Sequence, residues 1–200
     1  AALQRKLGLE VNGAPVLGFV GRLVEQKGLD WLLEALPALL EKGCQFAILG
    51  SGEARYQQAL QHLARDWPEQ LSLTLGYNEA LAHEITAGAD IFLMPSRFEP
   101  CGLNQMYSLR YGTIPVGHGT GGLNDTVLDP GEVPVRDANG FVFREPNAHG
   151  LKRAVNRALE ARKHRKTWQQ LQQNGMTADY SWKHRAGEYA ALYNKLRHNQ

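Results

Sequence analysis

The sequence predicts an α/β protein: a Rossmann-like, doubly wound parallel sheet of about six strands with helices on both faces, followed by C-terminal helices. Two observations lead to this prediction. Short apolar runs alternate with windows of helical periodicity through the first 145 residues. Most of these runs are continuously apolar, which is typical of strands buried on both faces. Helices between such strands imply right-handed crossovers and parallel pairing.

The predicted elements alternate along the chain. The strands are 16–20, 45–49, 71–75, 91–94, 113–116 and 141–143. The helices between them are 29–41, 54–66, 79–87 and 104–111, and the segment 117–123 leads into another. Three helical windows follow at 151–164, 167–176 and 183–196, with Asn147 and Ser181 as N-caps. Pro37 falls inside the first helix, a position that can kink it.

Length and composition fit one soluble domain over residues 1–200, with 13–146 as the sheet core and 147–200 as the C-terminal helices. Residues 147–200 carry eleven Lys or Arg against three acids, yet no nucleic-acid motif accompanies them. No apolar run reaches the roughly 18 residues of a membrane span. Cys44 and Cys101 are too few for a disulfide framework or a four-ligand zinc site. We therefore expect a reducing cytoplasm and neither nucleic acid nor membrane as a partner.

Ligands of an open parallel sheet bind beyond the carboxyl ends of its strands. After the first strand, Arg22 and Lys27 lie five residues apart in a glycine-bounded loop. Two such cations can neutralise and position a diphosphate, although a solvated loop with two surface cations fits as well. After the third strand comes Tyr77, which could stack on a nucleobase or could only pack at the rim.

The segments after the fourth and fifth strands are the richest in such signals. Glu99 precedes a proline and stands just before Gly102-Leu103, which opens the next helix. A carboxylate there can accept hydrogen bonds from sugar hydroxyls, and a helix N-terminus attracts anions. The alternative is an exposed loop acid beside an inert thiol. In 117–122, four glycines in six residues allow close approach to a ligand, or simply make a flexible turn; for His118 a structural role is favoured over a catalytic one.

These segments closely resemble bacterial glycogen synthases and plant starch synthases. The resemblance is carried by 21–30, 96–105 and 111–127, and by Asp179-Tyr180-Ser181-Trp182, in collinear order between about residues 13 and 196. Those synthases are retaining glycosyltransferases of the GT-B fold, in which two Rossmann-like domains face each other across a cleft. The resemblance implies that this chain is the C-terminal, donor-binding domain of such an enzyme.

The resemblance also implies roles for single residues. Three form the catalytic set: Arg22 and Lys27 bind the donor pyrophosphate and offset the charge on the departing diphosphate, and Glu99 binds glucose hydroxyls. The implied donor-binding residues are Tyr77 beside the adenine, Cys101, Gly102 and Leu103 in the sugar pocket, Thr120 and Gly121 beside the diphosphate, and Tyr107. No metal or other cofactor is expected. Arg22, Lys27, Glu99 and Thr120 should then line one common hollow.

Two departures from the synthases are visible. Gly117 stands where they usually have a bulky aliphatic residue. Their Lys-any-Gly-Gly-Leu motif is absent, as is the N-terminal domain that it opens, and the chain begins at Ala1. We therefore expect an excised half that binds ADP or ADP-glucose without catalysing transfer. The parent enzyme would extend an α-1,4-glucan acceptor, in the cytoplasm or, in a plant or alga, in the plastid stroma.

Two alternatives remain at this point. The domain could serve a GT-B transferase that uses a UDP- or GDP-sugar, or it could be a non-catalytic nucleotide-binding module whose basic helices bind a polyanion. A further prediction concerns the last helical window. Its apolar face should either dock on the sheet or stay partly exposed; this face comprises Tyr189, Leu192, Tyr193 and Leu196.

Overall fold

The computed structural model describes residues 1–198, apart from the side chains at 183–185, 188 and 198. The strands are β1 (Val16–Val20), β2 (Gln45–Gly50), β3 (Leu71–Leu75), β4 (Ile91–Met94), β5 (Ile114–His118) and β6 (Phe141–Phe143). The helices are α1 (Ala2–Leu7), α2 (Leu29–Glu41), α3 (Ala54–Asp66), α4 (Glu79–Gly88), α5 (Asn104–Tyr111), α6 (Gly122–Thr126), α7 (Ala148–Lys163), α8 (Arg165–Thr177) and α9 (Trp182–His198). A short 3-10 helix, Glu25–Lys27, precedes α2.

Within the described residues, the six strands form one open sheet in the order β3-β2-β1-β4-β5-β6, and every neighbouring pair is parallel. The chain therefore builds outward from β1 to β3 and then returns to place β4 on the other side of β1. Open parallel sheets bind ligands at such a reversal, at the carboxyl ends of the strands. The predicted fold class is confirmed.

The sheet is buried on both faces because alternate side chains of its strands enter different cores. Leu17 and Phe19 of β1 belong to a large core that α2, α3, α7 and α8 cover. On the other face, α4 packs so closely on β1 that a Cβ on Gly18 would lie 2.9 Å from Ile85. This double burial explains why the strands are continuously apolar.

Most predicted element boundaries agree with the structure to within one residue, and one of the larger differences has a clear cause. The predicted fifth strand, 113–116, ends too early, because Gly117 and His118 continue the ladder against Val142 and Phe143 of β6. The glycines at 117 and 119 had suggested that a loop begins there. The glycine-rich loop therefore begins after His118.

Two helix starts illustrate local capping. The Asn147 side chain accepts the backbone N–H of Gly150 at 2.8 Å, so the predicted N-cap is confirmed, and α7 begins one turn earlier than the periodicity indicated. The short helix α1 has no side-chain cap and was not predicted. It is held instead by packing of Leu3 against Gly88 of α4. Pro37 lies inside α2 without ending it.

The C-terminal helices divide into two kinds. Helices α7 and α8 complete the large core, to which they contribute Leu151 and Leu171. Helix α9 leaves its apolar side chains exposed, with Trp182 at 78% and Tyr193 at 61%, which settles the choice between docking and exposure in favour of exposure. Residues 199 and 200 of the predicted domain lie outside the described residues. None of the helices in residues 1–198 combines the length and apolarity that crossing a membrane requires.

Candidate functional site

Three loops meet at the carboxyl edge of the sheet, where the strand order reverses. The loop after β1 is tied to the loop after β4 by the backbone N–H of Arg97, which donates to the carbonyl of Gln26 at 2.9 Å. The loop after β5 is tied to the same segment by the N–H of Gly122, which donates to the carbonyls of Glu99 and Pro100, each at 3.2 Å. The three loops therefore form one hydrogen-bonded unit.

An ion pair lies at the centre of this unit. Lys27 ends the 3-10 helix, and its Nζ is 2.5 Å from Oε2 of Glu99. The same Oε2 accepts a hydrogen bond from the hydroxyl of Ser96 at 3.0 Å. The side chains of Lys27 and Glu99 are 23% and 11% exposed, so solvent screens the pair less than it would screen a surface salt bridge.

The two carboxylate oxygens of Glu99 differ in their surroundings. Oε2 is occupied by Lys27 and Ser96, whereas Oε1 accepts no hydrogen bond from any described residue. Oε1 is not fully buried, and so it is accessible to solvent. A carboxylate oxygen held in place by its twin, with its own lone pairs free, can accept a hydroxyl donated by a ligand.

Glycine is required where the third loop touches Glu99. Gly121 has φ +47°, and a Cβ built on it would lie 2.0 Å from the backbone carbonyl oxygen of Glu99. Any larger residue would push the two loops apart. This contact places Thr120 and Gly121 directly against the segment that holds the Glu99 carboxylate.

Arg22 and Tyr77 share a cavity next to this unit. We call it the strand-end cavity; it encloses about 230 Å³ at the carboxyl ends of β1, β2 and β3. Its lining includes Gly21, Arg22, Gly50, Tyr77 and Asn104. Tyr77 is 87% exposed, so its ring face is available for stacking. The guanidinium of Arg22 donates to Oε1 of Gln26 at 3.2 Å, which connects the cavity to the loop that carries Lys27.

Of the four residues expected to line one hollow, Arg22 lines the strand-end cavity, whereas Lys27, Glu99 and Thr120 do not. Three further predicted donor-binding side chains also lie outside this cavity. Cys101 and Leu103 line a separate cavity of about 550 Å³ between α5, α6 and α9. Tyr107 lines another, also about 550 Å³, together with Arg110 and residues just after α8. Gly102, with φ +72°, makes the turn between Cys101 and Leu103 and covers the side chain of Gln105. Their roles toward a sugar stay predictions.

His118 is fixed by packing. Its Nδ1 donates to the carbonyl of Ser96 at 2.9 Å. Its ring meets Trp31 edge-on at 5.5 Å and lies 5.3 Å from Phe143. These contacts give His118 the structural role that was favoured from the sequence, and they anchor the backbone from which the Ser96 hydroxyl projects.

Sequence reasoning missed three residues of this edge. Ser96 supports Glu99, and Gln26 connects Arg22 to the loop of Lys27. Asn104 donates from its side chain to the carbonyl of Val20 at 3.0 Å and lines the strand-end cavity. Their positions after strands or at the start of a helix were the available signal. Ser96 and Gln26 contact partners three and four residues away, whereas Asn104 contacts Val20, which is 84 residues away.

The described residues include no cluster of metal ligands, and one of the two thiols is buried. Among residues 1–198, no group of three or more His, Cys, Asp or Glu side chains is placed to hold a metal ion; that no metal takes part stays a prediction. Cys44 directly precedes β2, at the amino ends of the strands. Burial raises the pKa of its thiol to about 11, although Lys42 and Arg162 oppose the shift. Cys44 is therefore a structural thiol.

The family-level comparison decides the assignment. The family model described as "Glycosyl transferases group 1" matches residues 3–174, a range that contains all three loops of the site. The chain belongs to this family.

Relatives of this group 1 glycosyl transferase are named for one activity. It is 72% identical over 196 residues to "Glycogen synthase" of Marinobacter nauticus, covering 98% of this chain and 40% of that relative. It is 57% identical over 197 residues to "Glycogen synthase" of Cellvibrio japonicus, covering 98% of this chain and 41% of that relative. The chain thus spans about two fifths of the length of these relatives, and the resemblance drawn from its motifs is confirmed.

A solved structure agrees with the fold of this group 1 glycosyl transferase. The catalytic domain of Starch Synthase IV from Arabidopsis thaliana, bound to ADP and acarbose, superposes with a TM-score of 0.88 at 37% identity. The match covers 97% of this chain and 41% of that one. The six-stranded sheet and its helices are therefore those of a glycosyltransferase domain.

Proposed function

We propose that this chain binds the nucleotide-sugar donor, ADP-glucose, of a retaining glucan synthase. The high identity to glycogen synthases and the fold shared with a starch synthase bound to ADP support this choice of donor. In the whole enzyme, glucose is transferred from ADP-glucose to the non-reducing end of an α-1,4-glucan, which releases ADP. Two cysteines without a disulfide partner, Cys44 and Cys101, support a reducing cytoplasmic setting.

One observation carries the proposal: the Lys27–Glu99 ion pair lies where three loops meet, with Arg22 on one side and Gly121 on the other. A diphosphate at this edge meets two cations, and the sugar attached to it meets an acceptor oxygen. Arg22 and Lys27 offset the charge that grows on ADP as it leaves, a role that a divalent ion has in other transferases. Glu99 orients glucose through its free Oε1.

Binding and transfer make different demands on the protein. Transfer also requires an acceptor hydroxyl held against the donor and water kept out of the site. Because this edge is open to solvent and the chain spans about two fifths of its relatives, we propose that the 200-residue chain alone binds donor but does not elongate glucan. Mixing it with ADP-glucose and a maltooligosaccharide should release no ADP beyond the uncatalysed background.

Calorimetric titration with ADP tests the proposal. The chain should bind ADP saturably at one site, and Arg22→Ala and Lys27→Ala should each raise the Kd by about tenfold or more, because each removes a charge-assisted contact. Lys6→Ala is the matched control, since Lys6 pairs with Glu84 on a remote surface. Absence of ADP binding, or equal binding by all four proteins, contradicts the proposal.

The same titration separates the alternatives. If UDP or GDP displaces ADP at lower concentration than ADP-glucose does, the donor is a different nucleotide sugar. If heparin binds the chain and ADP does not weaken that binding, the basic residues of α7 and α8 belong to an independent polyanion site. Under our proposal, neither uridine nor guanosine nucleotides compete effectively.

A further inference from the structure

Ser96 stands in an unusual position for a loop serine. It lies two residues beyond the end of β4 and is 2% exposed. Its hydroxyl donates to Oε2 of Glu99 at 3.0 Å, because an ionised carboxylate can only accept. Its carbonyl in turn accepts the Nδ1–H of His118 at 2.9 Å, which fixes the backbone of Ser96 to the end of β5.

The hydroxyl of Ser96 and the ammonium of Lys27 both contact Oε2 of Glu99. Only the contact of Lys27 should weaken when a donor binds. Lys27 has a long, flexible side chain and is one of the two cations proposed to bind the diphosphate. When a diphosphate arrives, part of the Lys27 interaction turns toward the phosphate oxygens. Ser96 has a short, buried side chain, so its hydrogen bond to Oε2 persists.

We propose that Ser96 is a positioning residue that holds the Glu99 carboxylate in place while Lys27 engages the donor diphosphate, so that Oε1 stays directed at the sugar. This inference rests on the proposed function and deepens it, because it assigns to a buried serine the discrimination between ADP-glucose and ADP. Ser96 acts through Glu99 and has no contact of its own with the donor.

The test compares two ligands on one variant. Ser96→Ala should raise the Kd for ADP-glucose by about tenfold, the value of one charge-assisted hydrogen bond, and leave the Kd for ADP within about twofold, because ADP has no sugar for Glu99 to bind. In a Glu99→Ala background, adding Ser96→Ala should change the Kd for ADP-glucose by less than about twofold, since its target is gone. A purely structural role for Ser96 would not produce this non-additivity.

Two further variants keep the test decisive. Ser108→Ala is the matched control: Ser108 is also fully buried, and its hydroxyl donates to the carbonyl of Gln105 at 2.9 Å without contacting Glu99. It should leave the ratio of the two Kd values unchanged. If Ser96→Ala does not fold, Ser96→Cys retains the size with a weaker donor and should show a selective loss of about threefold.

The outcomes separate this inference from the proposed function. If the wild-type chain binds neither ADP nor ADP-glucose, the proposed function fails. If it binds both and the Ser96 variants lower the two affinities together, or change neither, the positioning role is wrong and the proposed function stands.

Discussion

The Nζ of Lys27 lies 2.5 Å from Oε2 of Glu99, across 72 residues of sequence. The pair joins the loop after β1 to the loop after β4, at the reversal of strand order. Each partner also has a second task in the proposed function, since Lys27 faces the diphosphate and Glu99 faces the sugar. Donor binding must therefore weaken the contact between Lys27 and Glu99.

Neutralising Glu99 should affect ADP and ADP-glucose in opposite directions. Glu99→Gln removes a negative charge beside the proposed phosphate position and releases Lys27, so ADP should bind about threefold more tightly. ADP-glucose should instead bind more weakly, because an amide oxygen accepts weaker hydrogen bonds from glucose hydroxyls than a carboxylate does. The preference for ADP-glucose over ADP should fall by about tenfold in calorimetric titrations.

The control for this change is Glu145→Gln, which neutralises a surface carboxylate that pairs with Arg153 at 2.8 Å. It should leave both affinities unaltered. An unchanged preference in Glu99→Gln would show that the carboxylate does not face the sugar.

The contact between Gly121 and Glu99 predicts a steep cost for one methyl group. Gly121→Ala should lower the free energy of unfolding by about 3 kcal/mol, because its Cβ would meet the Glu99 carbonyl and its backbone conformation is strained for any residue but glycine. Gly117→Ala is the comparison. Its Cβ would lie 3.4 Å from the end of Leu123, so it should cost less than about 1 kcal/mol.

Urea denaturation followed by circular dichroism measures both changes. Equal costs for the two alanines would mean that the loop of Gly121 adapts without strain. The Gly117 variant also bears on the departure from the synthases at this position, since the structure leaves room there for a small side chain.

Asp129 is the buried anchor of the segment between α6 and β6. It is 2% exposed, accepts the backbone N–H groups of Gly131 and Val142 at 2.7 and 2.6 Å, and pairs with Arg157. Asp129→Ala should lower the free energy of unfolding by about 3 kcal/mol or more, because it leaves the two N–H groups and the Arg157 guanidinium without their acceptor. Asp137→Ala, on the surface, should cost less than about 0.5 kcal/mol. Similar costs in urea denaturation would contradict this role.

The two cysteines should differ sharply in reactivity. Cys101 is exposed, whereas Cys44 is buried with its pKa raised to about 11. At pH 8 a thiol with that pKa is about 0.1% thiolate, and only the thiolate reacts. A chromogenic disulfide reagent should therefore titrate one thiol in the native chain and two in denaturant. Two reactive thiols in the native chain would contradict the burial of Cys44.

The same pKa shift predicts a dependence of stability on pH. The thiol of Cys44 titrates at 9.0 when unperturbed and at about 11 in the fold. The stability that this shift contributes is fully present below pH 9 and is lost as the pH rises through 11. The difference in free energy of unfolding between the wild type and Cys44→Ala should shrink over that window. A constant difference would contradict the shift.

The fold could be predicted because its strands are buried on both faces. Continuous apolar runs such as Val16–Val20 identify such strands directly, and the helices between them dictate parallel pairing. Helix α1 escaped prediction because it is held by the packing of Leu3 on Gly88, a contact over 80 residues that no local pattern contains. The end of β5 was misplaced for the same reason, since pairing with β6 extends it.

The candidate site was predictable to the level of loops but not of side-chain partners. Glu99 and Lys27 follow strands that end at one edge, so their proximity was expected. The support that Ser96 gives to Glu99 depends on burial and on a side-chain direction, neither of which appears in the sequence. Cys101 and Tyr107 show the converse, because a loop or helix residue close in sequence to Glu99 can point into another cavity.

The most direct test of the central claim is to map ADP-glucose binding onto backbone amides by ¹⁵N chemical-shift perturbation. If the donor binds where the three loops meet, the largest shifts cluster in Gly21, Lys27, Glu99 and Gly121 and in their neighbours along the carboxyl edge. Shifts concentrated on the basic surface of α7, around Lys152 and Arg153, or scattered without reference to the three loops, would contradict it.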